Sequence, residues 1–273
     1  MKNKYIIYLK DLIKRFKSDD VLALSSQLSY SLLFSIFPLI IFLMILIGLS
    51  SIRSEDVLIG LKRLVPMSTF ELIHGMIVEV VDTKRGHLIP LSLIFIIWSA
   101  STGFSAVIKA LNKAYDEEEH RSFLKVQIIA LIFMFSLIFI LIGTILLLVF
   151  GEVLGKAISI GLGLSILFTF VWTILRYVII GLAMILIFAF LYHDTPCRRL
   201  KWVQVIPGSI FATFGWIITS TIFSFYVNNF GSYSVIYGSL GAVIALLTWL
   251  FLSSIIIIMG GELNAVILFN KKV

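Results

Sequence analysis

Apolar residues along this chain fall in six long runs, at about 22–50, 88–111, 123–150, 162–192, 206–228 and 238–268. A hydrocarbon core about 30 Å thick is crossed by about 20 helical residues, and each run reaches that length. In lipid every backbone N–H and C=O must find a partner within the protein, so spanning segments are helices or closed barrels. Barrel strands would show about ten residues of alternating polarity. These runs are nearly continuous, and the pattern predicts an all-α integral membrane protein with six transmembrane helices in one polytopic domain, residues 1–273.

Two shorter patterns accompany the runs. In residues 1–20, Tyr5, Ile6, Leu9, Leu12, Ile13 and Phe16 recur at helical spacing, with Lys4, Lys10, Lys14, Arg15 and Lys17 between them. This is the pattern of an amphipathic helix lying on a membrane surface. Asp19 and Asp20 then precede the first run, where negative charge suits a helix N-terminus. In residues 51–87, Leu58, Leu61, Leu64 and Val65 repeat at three to four residues before Pro66, and Phe70, Ile73, Ile77, Val80 and Val81 resume afterwards. Two short amphipathic helices, about 55–64 and 68–82, would cap the outer face of the bundle.

Composition changes the picture only by orienting it. Charged residues make up 14% of the chain, against about 25% in soluble domains, and mean hydropathy is +1.08. Arg176 apart, fifteen Lys and Arg fall on the N-terminal side of the six runs and six on the other. By the positive-inside rule both termini are expected in the cytoplasm, as in a multi-pass protein of the cell membrane. The net charge of +7 is therefore read as topology and attraction to anionic lipid rather than as a nucleic-acid surface. The first apolar run is too long for the core of a cleavable signal peptide. Cys197 is the single cysteine, so no intramolecular disulfide can form.

Interruptions of the runs are the candidate chemistry. Arg176 lies deep in the fourth run, where even a lenient insertion scale assigns a central Arg about 2.5–3.5 kcal/mol, so it should face the interior. In the first run Gln27, Ser31, Ser35 and Pro38 share one helical face with Tyr30 beside it. Pro38 removes a backbone hydrogen bond and is expected to act as a hinge. This stripe either lines a hydrated cavity or consists of hydroxyls bonded to their own backbone. Gly103, Gly208, Gly238 and Gly241 mark close helix packing or a moving interface. Asn112, Glu262 and Asn264 stand at polar helix ends, where water can reach them.

Catalytic constellations are sparse. Glu71 and His74 lack the further ligands of a di-iron bundle. The run Asp116, Glu117, Glu118, Glu119 and His120 reads as a solvated helix cap, and His193, Asp194 and Cys197 match no metal spacing. No P-loop or nucleophile-elbow motif occurs. Neither an enzyme nor any metal or cofactor is expected.

The order of several short motifs carries a resemblance. They are Gln27-Leu28-Ser29-Tyr30, Ser35-Ile36-Phe37-Pro38-Leu39, Asn112-Lys113-Ala114-Tyr115, Pro207-Gly208, and Tyr237-Gly238-Ser239-Leu240 through Trp249 to Gly261-Glu262-Leu263-Asn264. Together they span about residues 20–268 and resemble the YihY/BrkB family of bacterial inner-membrane proteins. That resemblance implies six spans with a cytoplasmic N-terminus. Members have carried a ribonuclease BN label and a virulence label linked to serum resistance; no clustered carboxylates or histidines suggest phosphodiester hydrolysis here. Two readings of function follow. One is a transporter or permease of a small anionic or zwitterionic solute or lipid, with Arg176, Gln27, Tyr30, Ser31 and Ser35 meeting the substrate. The other is a non-transporting envelope scaffold. The expected partners are membrane lipids and that solute, with no nucleic acid.

Overall fold

The computed structural model describes residues 2–49, 89–136, 139, 143, 155, 166–230 and 240–270. The expected 51–87 cap lies outside these residues, as does Gly238. Among the described residues all regular structure is helical. The helices are α1 (Lys2–Ser18), α2 (Val21–Leu49), α3 (Ile89–Ala114), α4 (Phe123–Ser136), α5 (Ile166–Asp194), α6 (Trp202–Phe230) and α7 (Leu240–Asn270). Three stretches are long and apolar enough to cross a membrane: Phe170–Asp194, Trp202–Val227 and Val243–Asn270. Val21–Ser35 and Phe123–Ser136 are shorter apolar helices.

Two aspartates in the left-handed region end helices. Asp20 (φ 50°) stops α1 and turns the chain into α2. Asp116 (φ 55°) closes α3, with Glu117 N–H bonded to Asn112 O at 3.0 Å and Asp116 N–H to Lys113 O at 3.1 Å. That pair of bonds is a Schellman cap with Asp in the place usually taken by Gly, and a short polar side chain tolerates it. At the start of α6 the Gln204 side chain accepts the Lys201 N–H at 2.7 Å, which is half of a capping box.

α7 is the organising helix and packs on α6, α2, α1 and α3. α2 lies against α3, α6 lies against α5, and α4 joins α3 through Ile108, Val126 and Ala130. Helices consecutive in the chain from α2 onward alternate in direction. The end of α3, the start of α4, the end of α5, the start of α6 and the end of α7 therefore gather at the end of the bundle that α1 crosses. The core there contains Val21, Leu28, Leu111, Tyr115, Tyr192 and Ala265.

Outward faces stay apolar: Phe170, Tyr177, Phe214, Ile222 and Phe225 are each more than half exposed. Lipid tails cover such faces but supply no hydrophobic drive between helices, so association depends on close approach of small residues. That approach is plain between α6 and α7. A Cβ at Gly208 would overlap Gly260 O and the Asn264 side chain, and one at Gly260 would overlap the Tyr192 hydroxyl. Between α2 and α3, a Cβ at Gly103 would crowd Ser35. Further along the α6–α7 seam, Trp249 Nε1 donates to Ser220 Oγ at 3.1 Å and stacks edge-on to Trp216 at 5.7 Å.

Candidate functional site at the α1 end

α1 brings Asp11, Arg15 and Asp19 onto one face, because residues four apart stack along a helix. Arg15 reaches across to three other parts of the chain. Its Nη1 lies 3.3 Å from Asp19 Oδ2, 3.1 Å from Ala114 O and 3.2 Å from Glu262 Oε2, and its Nη2 lies 2.6 Å from Asp116 Oδ2. The guanidinium sits 5.0 Å over the Phe269 ring. Burial pulls Arg15 towards losing its proton, but Asp116 and Glu262 outweigh that and hold it above its ordinary value. The unusual backbone of Asp116 is what aims its carboxylate at Arg15. Glu262, on α7, is fully buried.

Beneath this latch lie further buried polar groups. Asn264 accepts the Gly208 N–H at 2.7 Å and donates to Val205 O at 3.2 Å, pinning the first turns of α6 to α7. Tyr115 is fully buried beside Asn264, and burial pushes its hydroxyl well up from the usual phenol range. Tyr192 donates to Ile257 O at 2.8 Å, linking α5 to α7.

A second clasp joins the 115–122 and 195–201 connections. Asn112 donates to Glu119 Oε2 at 2.8 Å and accepts the Cys197 N–H at 2.7 Å. The Cys197 thiol donates to Glu119 Oε1 at 3.1 Å. Arg121 grips both oxygens of Glu119 at 2.8 and 2.7 Å and also donates to Thr195 O at 2.7 Å. Arg121, helped by the Cys197 thiol and the Arg121 N–H, holds the Glu119 carboxyl down at about 2. Arg198 meets Glu117 at 3.3 Å and stands 5.1 Å over Phe269, so the two clasps share one aromatic ring. A pocket of about 380 Å³ opens between α1 and α7, lined by Asp11, Lys14, Arg15, Asp19, Asp116 and Phe269 among others.

The structure brings together only some of the residues singled out from sequence. Asn112, Glu262 and Asn264, polar helix-end positions in the sequence, gather at this end and are buried. The Asp116–His120 run was expected to be a solvated cap; Asp116, Glu117 and Glu119 are instead bound to Arg15, Arg198 and Arg121. Arg176 is buried on α5 at 9% exposure. On α2, Gln27 and Tyr30 are exposed, Ser31 is half-buried, and Ser35 is buried against Gly103 with its hydroxyl bonded to Leu32 O at 2.9 Å. α2 runs as one helix through Pro38, whose side chain lies outside the described residues. Gly241 is buried in α7. α5 takes α6 as its main neighbour, whereas α2 takes α3 and α7, so Arg176 and the α2 positions sit in different parts of the bundle. Sequence reasoning read Arg15, Asp19, Tyr115, Asp116 and Glu119 as parts of a surface helix, a helix start, a motif and a solvated cap, and gave none of them a place in a site. The four-residue recurrence of Asp11, Arg15 and Asp19 was the available signal.

Long apolar helices bearing exposed apolar faces, joined by charged clasps at one end, define a multi-pass protein of the cell membrane. The chain belongs to the virulence factor BrkB family, whose model matches residues 12–272. It is 38% identical over 265 residues to the putative ribonuclease-like protein YfkH of Bacillus subtilis, covering 97% of this chain and 96% of that one. It is 27% identical over 259 residues to a UPF0761 membrane protein of Alteromonas mediterranea, covering 92% and 84%. A UPF0761 membrane protein of Pseudoalteromonas translucida matches over 77 residues at 38% identity, 28% of this chain and 26% of that one. No solved structure matches the chain.

Proposed function

We propose that this protein crosses the membrane six times with both termini in the cytoplasm, and that it is a transporter or permease for a small anionic or zwitterionic solute or lipid. The clasped α1 end is then the cytoplasmic mouth. The observation that carries the reading is Arg176, a buried cation within the apolar stretch Phe170–Asp194. It stands eighteen residues before the α1-end terminus of α5, about 27 Å along the helix axis. A cation held at that depth costs energy, so it is a functional candidate, and an anionic group is the chemistry it suits. No enzymatic reaction is assigned. The ribonuclease-like name belongs to the Bacillus subtilis relative, and the carboxylates that meet at the α1 end here converge on the Arg15 guanidinium, which fills the place a catalytic metal would need.

The test is flux in reconstituted vesicles, with a panel of radiolabelled small anionic and zwitterionic solutes and a fluorescent phospholipid for scrambling. Arg176→Ala is expected to abolish flux while the protein accumulates in membranes at the wild-type level. Unchanged flux in that variant would remove the site. Absence of flux from the wild type across the panel would favour the scaffold reading.

A further inference from the structure

The Arg15 socket has too few donors for its acceptors. Nη1 of a guanidinium carries two N–H bonds, yet three oxygens surround it: Asp19 Oδ2, Ala114 O and Glu262 Oε2, at 3.1–3.3 Å. Nη2 is directed to Asp116. The remaining oxygen of Glu262, Oε1, is buried and has no donor among the described residues. Charge points the same way. One guanidinium faces three carboxylates; Asp116 is half-exposed, but the Asp19 and Glu262 side chains are 11% and 0% exposed. A carboxylate buried as fully as Glu262, with one oxygen left without a donor, does not stay ionised cheaply.

We propose that Glu262 carries a proton beneath Arg15, making the α1–α7 contact a proton-binding site. The proton removes the charge from a carboxyl that is fully buried and only half satisfied. The charged and titratable groups around it are Asp11, Lys14 and Arg15 from α1, Asp19 from the turn after it, Tyr115 and Asp116 from the α3 corner, and Arg198 from the 195–201 connection. α2 contributes no titratable side chain to its buried face at Val21, Ser25 and Leu28. The neighbouring pocket, lined by Arg15 and Asp19, gives the site a path to water. When the proton leaves, like charges separate α1 from α7, and the latch loosens as pH rises. This holds whether or not the protein moves a solute.

The experiment is pH-dependent infrared difference spectroscopy on the full chain in membranes, following the band of protonated carboxyls. Wild type should show a titrating band that Glu262→Gln removes, with the protein otherwise folded. If Glu262→Gln fails to accumulate, Glu262→Asp carries the same test by shifting the band. Spectra of variant and wild type that superimpose in this region would overturn the proposal. A second readout follows the latch itself: thiol labelling of Ser18→Cys in a Cys197→Ser background. Labelling, normalised at each pH to that of a free thiol because the thiolate is the reacting form, should rise with pH and lose that response when Glu262→Gln is added. Normalised labelling that does not change with pH would overturn the link between proton and latch.

Discussion

The α1 end and the α6–α7 seam hold helices together by opposite means. At the α1 end contact is made by long side chains: Arg15 spans α1, the α3 corner and α7, and Arg121 spans the two connections. Along the seam contact is made by missing side chains, with Gly208 and Gly260 letting two backbones meet. The difference follows the solvent. Where water and protein polar groups are within reach, ionic groups can be partly buried and paired. In lipid-facing depth a charge is costly and apolar bulk gives no drive, so closeness itself does the holding. Asn264 belongs to both, since its amide bonds the Gly208 backbone just where the seam enters the polar cluster.

Breaking the ionic side should have the largest effect. At a pH where Glu262 is ionised, Arg15→Ala leaves it buried without its cation, and removing one partner of a buried pair costs about 3–5 kcal/mol. Thermal unfolding of the detergent-solubilised protein should register it, and adding Glu262→Gln should recover much of the loss because the two sites are coupled. A double variant as unstable as the sum of the singles would show that the latch does not work as one unit.

Breaking the seam should cost less. Gly208→Ala forces a methyl against Gly260 O and Asn264, an overpacking error of about 1–3 kcal/mol. Its effect should be insensitive to salt, whereas the Asp116–Arg15 contact, half-exposed, should weaken with salt. Unfolding curves for both variants at low and high salt separate the two mechanisms.

The smallest effect concerns the second clasp. The Glu119 carboxyl is lowered from 4.5 to about 2, chiefly by Arg121. Its stabilisation is thus complete above 4.5 and is lost as pH falls from there towards 2. Arg121→Ala should flatten the acid limb of the stability–pH curve in that window. An unchanged limb would mean the clasp contributes nothing measurable, as exposed pairs often do.

Several particulars show what could be read beforehand. Lys4, Lys10, Lys14, Arg15 and Lys17 looked alike as the polar face of a surface helix. Among the described residues it is Arg15 whose side chain is drawn into the carboxylate socket, because it reaches the α3 corner and α7 together. The acidic run at 116–120 carried no hint of its partners, since Arg15, Arg198 and Arg121 lie far away in sequence or are set by the cap at Asp116. Gly208 could be picked out as a packing residue, but its partner Gly260 could not, because nothing in a glycine records what approaches it.

The sequence by itself determined that this is a helical membrane protein of one family. Helix length and apolarity answer to the thickness and dryness of the bilayer, and both are local properties written residue by residue. Tertiary structure alone decided which charges are buried and which are bathed. Burial of a charge depends on what the neighbouring elements bring to the same few ångströms, and that is settled only when α1, the α3 corner and α7 meet.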